Sequence, residues 1–141
     1  MEKDARELMF DKFNKASLTY ILENRVPRVC RTYDDMAMSW YDGRRHVRSN
    51  YVEGVHLSTV FLPIDHKFFR DGPPVVFETM IFGGDEDGYQ MRYTNWDAAV
   101  LGHREVLHEL KRKEWDRLYG DLLWYMSGLF IPRWFINNVV L

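Results

Sequence analysis

The sequence predicts an α+β fold: an antiparallel sheet of about four to six strands packed against helices, in a single domain. Two stretches carry that prediction. The run VVFETMIF, Val75 to Phe82, is rich in β-branched and aromatic residues and lies between Pro73-Pro74 and Gly83-Gly84, the punctuation expected at strand ends. Downstream, Trp96, Ala99, Val100, His103, Val106, Leu107 and Leu110 recur at the spacing of one helical face, and such a face needs a sheet to cover.

The elements follow in chain order. Residues 2–15 read as a short charged helix with Leu8, Met9 and Phe13 on a narrow apolar side. LTYILENRVPRVC places β-formers on either side of Glu23-Asn24, a strand and an edge strand, because Pro27 would leave a ladder bond unmade in a central one. TYDDMAMSWYDG reads either as a helix capped by Asp34 and ended by Gly43, or as a hairpin turning at Asp42-Gly43. The helix is preferred, since Ala37, Trp40 and Tyr41 share one helical face. RRHVRSNYVEGVHLSTVFL is extended chain broken at Glu53-Gly54, and Tyr89 to Thr94 is a strand returning after the GGDEDG turn. Thr94 or Asn95 caps the following helix, with Asp97 favouring the dipole of its first turn. The core is expected over residues 18–112, with two additions: the N-terminal helix, and over 113–141 a C-terminal helix running through Trp115, Leu118, Leu122 and Met126 until Gly128 and Pro132 stop it, followed by an apolar tail.

Strand alternation sorts the central side chains once a register is chosen. Simple hairpins with Leu62 opposite Val75 and Phe82 opposite Tyr89 put Val55, Leu57, Thr59 and Phe61 on one face with Val76, Glu78, Met80, Phe82, Tyr89, Met91 and Tyr93. His56, Ser58, Val60, Phe77, Thr79, Ile81, Gln90 and Arg92 then share the other. The first face takes the helix, which puts the Glu78 carboxylate in the core beside Thr59 and Tyr93, where it needs partners.

The 141 residues, 46% hydrophobic and 16% aromatic, suffice for one core. A net charge of −2 gives no global basic field, so general nucleic-acid binding is not expected, while a local basic site is allowed. A lone cysteine, Cys30, with a charged rather than apolar start, predicts a reducing cytoplasm. The run Leu122 to Leu141 approaches membrane-spanning length, but Pro132, Arg133 and Asn137-Asn138 interrupt it. Burial or contact within a homo-oligomer is preferred to a membrane span.

Two constellations are candidates for chemistry. Asp65, His66, Glu78 and His103 supply the carboxylates and imidazoles of an acid-base or metal site, and define a hydrolase alternative. Asp65-His66 competes with an Asx-type turn, and His103 with a buried histidine satisfied by one hydrogen bond. No HExxH, CxxC, Gly-x-Ser-x-Gly or phosphate-loop pattern occurs, so no metal and no cofactor are predicted. The second constellation is a binding surface. Arg44, Arg45, Arg48 and Arg92 are phosphate contacts, Trp40 or Phe82 a stacking platform, and Asn95 a polar selector, which together suit a small nucleotide. Its competitor is a solvated, locally paired arginine set.

The segments STVFLPIDH (Ser58 to His66), GPPVVFETMIFGG (Gly72 to Gly84) and RYTNWDAAVLGH (Arg92 to His103), in this order and spacing, resemble a family of short proteins carried by tailed phages. The likeness extends more weakly back to Tyr20 and Trp40. Where the family commonly has a glycine after the first strand, Pro63 and Ile64 stand here. The resemblance implies a phage product acting in the host bacterial cytoplasm, and carries no established reaction. It suggests a non-enzymatic counter-defence protein, similar in role to anti-Thoeris sponges, that sequesters a cyclic nucleotide or cyclic ADP-ribose type signal. A protein-binding inhibitor of a host defence or CRISPR component is the further alternative.

Overall fold

The structure, a computed structural model, describes residues 4–16, 18–68 and 71–127. The elements are α1 (Ala5–Ala16), β1 (Tyr20–Glu23), β2 (Val26–Val29), α2 (Tyr33–Ser39), α3 (Asp42–Arg45), β3 (His46–Val52), β4 (Val55–Phe61), β5 (Phe77–Phe82), β6 (Gln90–Tyr93) and α4 (Trp96–Ser127). They make the expected α+β fold with two antiparallel sheets, a β1-β2 hairpin and a four-stranded meander in the order β3-β4-β5-β6. The chain divides into two compact units, Met1–Glu105 and Val106–Leu141.

Two hairpins of the first unit turn on two residues in the left-handed region. Glu53 and Gly54 have φ of 45° and 79°, the signature of a type I′ turn, whose twist matches that of the flanking strands. Asn24 and Arg25 do the same between β1 and β2, so that turn falls one residue later than the expected Glu23-Asn24. Here the αL conformation falls on an arginine whose guanidinium lies 5.3 Å from the centre of the Trp96 ring, a cation-π contact that offsets part of the backbone cost.

The register within the meander corrects the expected face assignment. Leu57 is opposite Ile81, Thr59 opposite Thr79, and Phe61 opposite Phe77; Phe77 is in turn opposite Tyr93 and Glu78 opposite Arg92. Each pairing is one residue from the expected one. The two slips cancel, so β4 and β6 keep their predicted faces and β5 alone is turned over. The reason lies in the connections. Leu62 donates its N–H to the Val76 carbonyl and His66 to that of Val75, so β4 leads into a folded loop rather than a simple hairpin.

The buried face therefore carries Leu57, Thr59, Phe61, Phe77, Thr79 and Ile81, none more than 2% exposed. Phe61, Phe77, Val76, Tyr20 and Ala99 form its core, with Leu22, Val47, Tyr93 and Trp96 around them. The Phe77 ring stands edge-on to both Phe61 and Trp96, at 5.5 and 6.3 Å, an aromatic arrangement favoured beyond its area of burial. A Cβ on Gly102 would run into the Tyr93 ring, so glycine at that position sets how closely α4 approaches the sheet.

A second cluster, Ile21, Cys30 and Met36, is flanked by Phe10 and Tyr33. The expected apolar side of α1 is corrected accordingly: Leu8, Met9 and Phe13 are exposed, and Phe10 makes the contact. In α2 the N-cap is Thr32 rather than Asp34, its side chain accepting from the Asp35 N–H. Met36 and Ser39 are buried there, while Ala37, Trp40 and Tyr41 face solvent. Gly43 does not end this helix but lies within the separate turn α3. Cys30 is buried, and burial, reinforced by Asp35, pushes its thiol up to about 11, which keeps it an inert thiol.

The described part of the second unit is the rest of α4. Arg112 ties Glu109 at 2.9 Å and Asp116 at 3.0 Å along one side of it, while Trp115, Leu118, Tyr119, Leu122, Trp124 and Tyr125 are each at least half exposed. No helix among the described residues is long and apolar enough to cross a membrane. The expected helix stop at Gly128 and Pro132, and the apolar tail beyond, lie outside the described residues.

Candidate functional site

The two sides of the sheet carry different side chains. Beneath α4, the Thr59 hydroxyl lies 2.7 Å from Thr79 Oγ1 and 2.7 Å from His103 Nδ1, and His103 Nε2 lies 2.9 Å from Asn50 Oδ1. The directions follow from the chemistry. Asn50 Oδ1 only accepts, so His103 donates from Nε2 and accepts at Nδ1 from Thr59, which accepts from Thr79. His103 is 1% exposed, and burial, with Arg48 and His46 adding like charge, lowers its pKa to about 4. It is therefore neutral, with both ring nitrogens in use. The Tyr93 hydroxyl is buried nearby, and burial is the largest cause raising its pKa.

The opposite side of the sheet is exposed at the end of the β3-β4 turn and closes towards Glu78. Cross-strand pairing places Tyr51 opposite His56 and His56 opposite Phe82, and their rings stack. The Tyr51 and His56 centroids are 4.4 Å apart at 10°, and those of His56 and Phe82 5.6 Å apart at 26°. Ser49 Oγ holds His56 Nε2 at 2.8 Å. Tyr51 is 75% exposed and Phe82 45%. The next row on the same side is Ser49, Ser58, Met80 and Gln90, and the row beyond is Val60, Glu78 and Arg92.

Glu78 is thus on the side of the sheet away from Thr59 and Tyr93, yet it is buried there, at 8% exposed. Its Oε2 accepts from Gln90 Nε2 at 2.6 Å and Arg92 Nε at 2.8 Å. Arg92 is held by Nε alone, and its two terminal nitrogens make no hydrogen bond to the described residues. The ion pair to a buried carboxylate fixes the orientation of the guanidinium.

The four groups of the hydrolase alternative are not brought together. Asp65 accepts from the backbone N–H groups of Val75 at 2.8 Å and Lys67 at 3.0 Å, and pairs with Lys67 Nζ at 3.2 Å. Burial acts to raise its carboxyl, but these donors outweigh it and leave it below the ordinary value. This is the Asx-type turn, closing the loop after β4. His66 is exposed, Glu78 and His103 lie on opposite sides of the sheet, and the described residues contain no group of three or more acidic, histidine or cysteine ligands able to hold a metal.

The arginine and aromatic set also divides. Arg48 is opposite Thr59, on the side of α4, whereas Phe82 and Arg92 share the open side. Arg45 donates from Nε to the Phe61 carbonyl at 3.1 Å and lies 5.8 Å from the Trp40 ring centre, which fastens α3 to the end of β4. Arg44 is exposed in the last turn of α3. Asn95 is a helix cap, its Oδ1 accepting from the Ala98 N–H at 2.8 Å. Sequence reasoning missed Tyr51 and His56, although the Glu53-Gly54 turn fixes their pairing by counting two residues outward on each side. Comparisons with protein-family models, curated proteins and solved structures find no match to the chain.

Proposed function

We propose that this chain is a non-enzymatic binding protein that captures a small base- and phosphate-bearing ligand on the open side of its four-stranded sheet. The observation that carries the reading is the Tyr51-His56-Phe82 ladder, three stacked rings with both outer ones accessible to a further planar group. Every nucleobase has a π-face, and stacking on aromatic side chains contributes about 1–3 kcal/mol per base. Phosphate falls to Arg92, whose guanidinium is anchored over the Glu78 row. Phe82 is four residues along β5 from Glu78, and Arg92 one strand further, a separation of roughly 14 Å between backbone positions. That span exceeds one nucleotide and suits a ligand in which a pyrophosphate or a second nucleotide extends away from the stacked base. Cyclic dinucleotides and ADP-ribose derivatives are of this kind. Sequestering such a signal is the activity of a phage counter-defence protein in the host cytoplasm, consistent with the family resemblance.

Calorimetric titration with cyclic AMP, a cyclic dinucleotide, ADP-ribose and cyclic ADP-ribose tests the reading. Phe82→Ala or Tyr51→Ala should weaken the bound member of that set by roughly 5- to 150-fold, the loss of one stacking contact. Arg92→Gln, which keeps a donor for Glu78, should weaken the phosphate-bearing ligand and spare the corresponding nucleoside. Unchanged affinity in Phe82→Ala, or no binding by any of the four, overturns it.

A further inference from the structure

β3 is an edge strand of the meander, paired only with β4. Its pairing shifts between His46 and Arg48, and from Arg48 to Val52 it is regular. Because the type I′ turn makes Val52 and Val55 a hydrogen-bonded pair, the N–H and C=O groups of Ser49 and Tyr51 point away from β4. They make no backbone hydrogen bond to any other described element. A regular, proline-free edge of this kind is a template for another strand.

The strand is also polar in charge along its length. Arg44 and Arg48 are exposed towards its start, and Glu53 is exposed at its end. A parallel neighbour would set like charges side by side, whereas an antiparallel copy of the same strand sets the basic start of each beside the acidic end of the other, with Arg48 opposite Val52 and one position from Glu53. We infer that two copies of this chain associate through an antiparallel β3-β3 pairing, with Asn50 at the two-fold axis and Ser49 of each opposite Tyr51 of the other. The sheet becomes continuous across the pair. Directly opposed residues share a face, so the second copy's Tyr51 stands beside Ser49 on the open side, and two aromatic ladders flank the axis. The pairing rests on the edge and its charges alone, independently of what the ladders bind.

The test is a charge exchange read by sedimentation velocity across micromolar concentrations. The wild-type chain should sediment as a dimer. Arg48→Glu and Glu53→Arg should each sediment as a monomer, because each opposes like charges across the axis. Their equimolar mixture should recover the dimer, since both cross-axis contacts are then attractive. Recovery on mixing also shows that the single variants are folded. A monomeric wild type, dimers in both single variants, or a mixture that stays monomeric would each overturn the inference.

Discussion

His103 makes stability depend on pH between about 4 and 6.5. Its imidazole titrates at about 4 in the folded protein against 6.5 for an unperturbed histidine. Burial lowers it because a charged ring there would lose hydration and one acceptor bond. The unfolded chain therefore binds a proton that the folded chain refuses between those two values. The sign follows: the contribution is complete above pH 6.5, is lost as the pH falls towards 4, and changes no further below that. The loss between pH 7.5 and 4.5 is on the order of 2–3 kcal/mol, at about 1.36 kcal/mol per unit of pKa. Asp35, lowered to about 2 chiefly by its hydrogen bond to Arg28, acts mostly below this window. Urea unfolding followed by tryptophan fluorescence at the two pH values measures the difference. His103→Gln, which can donate to Asn50 and accept from Thr59, should be somewhat less stable at neutral pH and should lose most of the pH dependence. A variant that keeps the wild-type slope would refute the reasoning, because the titrating group would then lie elsewhere.

Other substitutions separate packing, capping and loop closure. Gly102→Ala should destabilise by about 1–2 kcal/mol by thermal unfolding, because overpacking against Tyr93 exceeds the gain of roughly 1 kcal/mol in helix propensity; in a Tyr93→Leu background the same change should turn stabilising. Asn95→Ala should cost about 1 kcal/mol in urea through loss of the cap, with ligand affinity unchanged in calorimetry. Asp65→Ala strands the N–H groups of Val75 and Lys67 and should lower stability by roughly 1–3 kcal/mol, again without loss of binding.

The fold was legible where local chemistry dictates local structure. Proline and glycine pairs bracketed β5, Glu53-Gly54 marked a turn, and Asn95 was recognisable as a cap. What failed was long-range register. From Leu62 to Val76 the connection closes through Asp65, whose carboxylate binds the backbone of Val75 ten residues away, and no periodicity in the sequence encodes a bond of that reach. A one-residue slip then exchanged Glu78 for Thr79 on the side of α4. It also broke up the Thr79-Thr59-His103 chain, which needs both threonines on the side of α4. The Tyr51-His56 pair was within reach, because a two-residue turn fixes its neighbours without any long-range information.

The distribution of charge about the ladder decides how a ligand would lie. The Glu53-Gly54 turn adjoins Gly83, whose Cβ position is 3.4 Å from the Gly54 carbonyl, so Glu53, Asp85 and Asp87 gather at the ladder end of the sheet. Asp87 is partly spoken for by the Gly83 N–H at 2.7 Å, yet the acidic sign there remains. A phosphate placed over the rings would be repelled by these groups. Towards the other end of the open face the charge reverses at Arg92, with Arg44 and Arg45 near the start of β3. A ligand that is neutral at its base and anionic further along would therefore be aligned along the strands before contact, base to the ladder and phosphate to Arg92. The same polarity runs along β3 from Arg48 to Glu53, and an antiparallel second copy would place the basic end of one face beside the acidic end of the next. Added salt should thus weaken both ligand capture and self-association, whereas an assembly held only by the aromatic rows would be nearly indifferent to it.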